Sequence, residues 1–84
     1  MKQDIVSVFD SAVQAFMRPM FVPRIAAGVR AFTDEVNRAG SEINNHPEDY
    51  AFYHLGVFDD EFGKFEVLES PVLIVRGKDV IAKG

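Results

Sequence analysis

Residues 50–58, YAFYHLGVF, constrain the chain more than any other stretch. Aromatic and β-branched residues dominate, and the pattern reads as a β-strand. A strand with one solvated face alternates apolar with polar residues, yet here neither set is polar. Tyr50, Phe52, His54, Gly56 and Phe58 form one set; Ala51, Tyr53, Leu55 and Val57 form the other. Such a strand lies centrally in a sheet or has its second face covered by another chain. DDEFG then supplies a turn, with Gly63 free to take positive φ, and residues 64–68 pair back. SPVLIVRG at 70–77 offers another strand, with Pro71 at its start, where a missing donor is tolerated. Near the beginning, residues 3–9 also alternate, with Ile5 and Phe9 on one face and Val6 and Val8 on the other.

Residues 23–39 carry the helical pattern. Ile25, Val29, Phe32, Val36 and Ala39 form a single apolar stripe, and Pro23 suits the first turn. Arg30, Asp34 and Arg38 follow at steps of four on the opposite side, which predicts a ladder of surface ion pairs. Gly40 stands where a left-handed cap belongs. Residues 15–22 read as extended or loop-like, because Pro19 biases Arg18 away from helix. INNHPEDY reads as the loop after the helix, and KDVIAKG as a short edge strand, a short helix or a tail. No repeat or linker divides residues 1–84, so a single domain is expected. The order of elements predicts an α+β fold: an antiparallel sheet of four or five strands with one helix packed on one face.

A chain of 84 residues is near the lower limit for folding alone, so a homodimer or higher homo-oligomer is a reasonable way to bury more surface. The absence of cysteine removes disulfides and thiolate metal sites, and fits a reducing cytoplasm. No apolar run approaches the ~20 residues of a membrane span, and no membrane association is expected. The net charge of −4 argues at first against nucleic acid. Its distribution softens the objection. Residues 1–31 set Lys2, Arg18, Arg24 and Arg30 against Asp4 and Asp10 alone, and the acid surplus falls entirely in residues 32–84.

Signals for catalysis are weak. His46 and His54 lack metal-ligand spacing and a third histidine; a turn cap and an ordinary strand residue account for them better. Asp59, Asp60 and Glu61 lack the alternating ligands of a calcium loop and suit a hairpin turn. No nucleophile elbow, P-loop or dinucleotide fingerprint is present. Neither an enzyme nor a cofactor is expected. QAFMRPMFVPR at 14–24 differs, because Arg18 and Arg24 alternate with Phe16, Met17, Met20 and Phe21. Guanidinium groups that neutralise phosphate, beside rings that stack on bases, are how single strands are held without sequence preference. Lys2, Phe16, Arg18, Phe21, Arg24 and Arg30 are therefore the candidate contacts. Phenylalanines plugging the core with snorkelling arginines, or a methionine-rich dimer seam, would produce the same pattern.

IVSVFDS near the start, RPMFVP before RAFTDEVN, and then HPEDYAFYHLGVFDDEFGKFE together resemble the small nonstructural protein of gokushovirus-type microviruses, phages with circular single-stranded DNA genomes. The resemblance covers roughly residues 5–66. It implies a DNA-binding protein of genome replication or packaging in the host cytoplasm, with no enzymatic activity. It transfers no residue-level DNA contacts. The alternative expectation is a dimeric adaptor whose acidic half engages a viral or host replication factor without touching DNA.

Overall fold

The first strand is paired along both of its edges, and the topology follows from that. The computed structural model describes residues 1–82. β1 (Lys2–Asp10) lies antiparallel to β4 (Tyr50–Asp59), running from Lys2 opposite Asp59 to Asp10 opposite Tyr50. β5 (Lys64–Arg76) runs antiparallel along the other side of β4. On the far edge of β1, β2 (Ala15–Phe16) pairs with Phe9 and Asp10, while β3 (Met20–Val22) pairs with Asp4, Ile5 and Val6. The result is a five-stranded antiparallel sheet in an α+β fold.

Residues 15–22 are therefore an interrupted edge strand rather than a free connection. Pro19 cannot donate to a ladder, so pairing lapses at residues 17–19. Side chain and backbone fill the gap: Ser7 Oγ donates to the Met17 carbonyl at 2.7 Å, and the Met17 amide donates to the Val8 carbonyl at 2.8 Å. The expected pair of strands at 64–68 and 70–77 is likewise one strand. Gly56 pairs with Val67 and His54 with Val72, which leaves residues 68–71 out of register. Pro71 sits in this bulged stretch of an edge strand and not at a strand start, because the bulge needs no amide from it.

α1 (Ile25–Asn37) covers one face of the sheet. It is shorter at both ends than residues 23–39. Pro23 precedes the extended N-cap Arg24, and Ala39 lies past the C-cap Arg38 and is exposed. Gly28, Phe32 and Val36 are buried, and the Phe32 ring stacks on Phe52 with centroids 5.5 Å apart. The expected ion-pair ladder does not form. Arg38 has left the helical conformation and pairs with Glu35 at 2.7 Å, and among the described residues Arg30 and Asp34 have no ion-pair partner.

The stretch expected as a loop after α1 contains two short helical pieces. Ser41 caps α2 (Glu42–Asn45) by accepting from the Asn44 amide at 2.9 Å, and a 3₁₀ turn, Pro47–Asp49, leads into β4. Gly40 and Gly63 take the positive φ expected of them, 86° and 66°. The end of the chain forms α3 (Gly77–Val80), held by Asn37, whose amide donates to the Val80 carbonyl and whose oxygen accepts from Ala82. The part of the tail reading that concerns residues 83–84 lies outside the described residues. Val6, Val8, Phe32, Val36, Ile43, Tyr50 and Phe52 form the core between helix and sheet.

β4 departs from the simple alternation expected of it. Ile5 pairs with Gly56 but Val6 pairs with His54, so Leu55 is an extra residue and the pleat inverts there. Tyr50 and Phe52 face α1 before the bulge. Tyr53 and Phe58, which strict alternation puts on opposite faces, both turn away from the helix.

Candidate functional site

The face of the sheet turned away from α1 carries two groups of rings. At one end Phe9, Phe16 and Tyr53 meet, with centroids of Phe9–Phe16 at 4.9 Å and Phe16–Tyr53 at 5.3 Å. At the other, Phe21 stacks nearly parallel on Phe58 at 5.3 Å, and Phe65 lies 4.8 Å from Phe58. Register explains the gathering. Phe16 is opposite Phe9, Phe21 is opposite Ile5, and Phe65 is opposite Phe58, so each short edge strand delivers one ring to this face. The rings cover one another only partly. Phe16 remains 41% exposed, Phe21 47% and Phe65 60%.

The acids at the paired positions of the sheet keep off this face. Asp4, Asp10, Asp59 and Glu66 stand at register positions in phase with Val8 and Val57, on the layer that holds α1. His54 is on that layer too, 3.2 Å from the Asp4 carboxylate. Arg76 is on the ring face opposite Ala51, where Glu48 and Asp49 share its recess beside Phe9 and Tyr53.

The six residues singled out from the sequence divide between the two layers. Phe16 and Phe21 belong to the ring face, one in each group. Arg18 lies in the link between β2 and β3, and Arg24 caps α1 directly after β3; both are exposed. Among the described residues, neither arginine has a carboxylate within ion-pair distance. Lys2 is in phase with the helix layer at the far end of β1, and Arg30 stands on the exposed side of α1, so neither joins the rings. Phe9, Tyr53, Phe58 and Phe65 escaped sequence reasoning as site residues. The hairpin at DDEFG carried a signal for Phe58 facing Phe65; nothing local announced that Tyr53 would join their side.

The structure also gathers His46, Glu48 and Asp49, whose potential ligand atoms lie within 4.8 Å of one another on an exposed corner. His54, the other histidine, is engaged instead by Asp4 and by the Gly56 carbonyl at 2.9 Å. His46 itself closes α2, the turn-capping role expected of it.

A family model described as the phage ORF5 protein matches residues 3–80, nearly the whole chain. The chain belongs to this family. In this phage ORF5 protein a helix covers one face of the sheet and aromatic rings gather on the other. No curated protein and no solved structure matches the chain. No described helix of this phage ORF5 protein is long and apolar enough to cross a membrane.

Proposed function

We propose that this phage protein binds single-stranded DNA, weakly and without sequence preference, during genome replication or capsid filling of a gokushovirus-type phage in the host cytoplasm. The observation that carries the reading is the proximity in sequence of exposed Phe16 and Phe21, on the edge of the sheet, to Arg18 and Arg24, two exposed arginines without an ion-pair partner among the described residues. Rings offer every base a π-face, and guanidinium groups neutralise phosphate, so the role is binding without a catalytic step. Two phosphate contacts give a slope of about −1.4 in log K against log salt, roughly sevenfold weaker binding between about 50 and 200 mM. Fluorescence anisotropy of a labelled oligo-dT tests this, with the double variant Arg18→Glu/Arg24→Glu expected to lose binding and its salt dependence. A flat wild-type titration at low salt overturns the reading.

One observation favours the dimeric adaptor as a second reading. β5 is an edge strand of 13 residues, exposed along most of its length, and an unpaired edge accepts a strand from another chain. Light scattering that shows a dimer, together with no response to oligo-dT, supports that alternative.

A further inference from the structure

We infer that the ring face is a two-station platform for single-stranded nucleic acid: one base stacks on the Phe9–Phe16–Tyr53 group and another on the Phe21–Phe58–Phe65 group. This rests on the single-strand reading above and extends it from the edge segment to the whole outer face, including four rings outside the original candidate set.

Three observations carry it. Each group keeps ring surface that a base can cover, since Phe16, Phe21 and Phe65 are all at least 41% exposed. Charge selects the occupant. On a chain of net charge −4, the paired sheet positions of this face hold Arg76 and no acid, and Glu48 and Asp49 stand only at the rim beside Phe9 and Tyr53. The exposed Arg18 lies in the link between the two strands that deliver Phe16 and Phe21. An occupant carrying regular negative charge and flat apolar groups suits such a surface better than a second copy of this acidic chain. Spacing is the third observation. The stations are keyed to Phe9 and Ile5 of β1, four residues apart in register, which is about 13 Å along a strand. A fully stacked strand advances about 3.4 Å per nucleotide, so the span takes roughly four steps, and fewer where the chain is splayed. The platform therefore occupies about three to five nucleotides, at the low end of single-strand site sizes.

The test is a length series of oligo-dT, from one to eight nucleotides, titrated at low salt against wild type, Phe16→Ala, Phe65→Ala and the double variant. Circular dichroism checks that each variant is folded. In wild type, affinity rises with length until about four nucleotides and then levels. Each single variant binds the longer oligomers about 5- to 150-fold more weakly and loses the length dependence, because one station remains. Phe62→Ala serves as the control; this ring is exposed in the hairpin turn and belongs to neither group, so binding is unchanged. If no oligomer binds wild type, the single-strand reading itself fails. If oligomers bind and neither Phe16→Ala nor Phe65→Ala weakens them, the two-station platform fails while the single-strand reading stands. A dimer that Phe65→Ala dissociates, with oligomer binding unaffected, assigns the face to a second copy and also overturns the platform.

Discussion

Tyr50 and Tyr53 stand three positions apart on β4 and face opposite layers, and their environments differ accordingly. Tyr53 is half-buried among Phe9 and Phe16. Tyr50 is only 5% exposed in the core layer, and burial pushes its hydroxyl above the ordinary tyrosine range, with the carboxylates of Asp10, Glu42 and Asp49 adding to the effect. The folded state thus holds this proton more tightly than the unfolded chain does. Its contribution is complete below the unfolded value of about 10 and is lost as pH rises through the folded value. Urea midpoints measured across that alkaline range are expected to fall for wild type and to fall less for Tyr50→Phe. Equal slopes would show that the hydroxyl is not held this way. His54, by contrast, illustrates what a residue type alone conceals: its partner Asp4 lies on a different strand.

At the level of elements, the Phe52 ring of β4 packs directly against the backbone of α1, and a glycine permits it. A Cβ built on Gly28 would lie 2.6 Å from the Phe52 ring, which is itself fully buried and stacked on Phe32. Two effects compete in Gly28→Ala. Alanine favours the helix by about 1 kcal/mol. Overpacking a filled core costs about 1–3 kcal/mol. Since Phe52 has nowhere to retreat, the crowding wins, and a net loss of up to about 2 kcal/mol is expected in chemical denaturation. A stabilised variant would mean that the helix can rise off the sheet without cost. The stripe of α1 was legible in the sequence because the helical period is local. Its ends were not, since the conformations of Arg24 and Arg38 are set by β3 and by the Glu35 contact. α2 had a readable signal in Ser41 ahead of Asn44, a cap spacing obscured by the asparagine-rich run around it.

As a whole, the molecule is a helix layer on a single sheet, so its core has one side only. Phe52 is central to that core and wholly inaccessible. Phe52→Ala is expected to cost about 3–5 kcal/mol. For a chain of this length total stability is on the order of 4–12 kcal/mol. The variant is therefore expected to be largely unfolded or to melt far below wild type in a thermal scan; a near-native melting point would contradict the single-core description. The sequence by itself determined the class of this fold: an alternating strand at 3–9, an aromatic and β-branched run at 50–58, one helical stripe, and turn residues at Gly40 and Gly63 are local features, and local sterics and burial suffice to read them. Its aromatic and arginine interleaving also marked residues 14–24. Tertiary structure alone decided which rings share a face. One unpaired residue, Leu55, inverts the pleat of β4 and brings Tyr53 and Phe58 to the same side, and residues 68–71 of β5 absorb the matching irregularity. An alternation of period two carries no mark of where a partner strand will skip a residue, because that choice belongs to the pairing between distant segments.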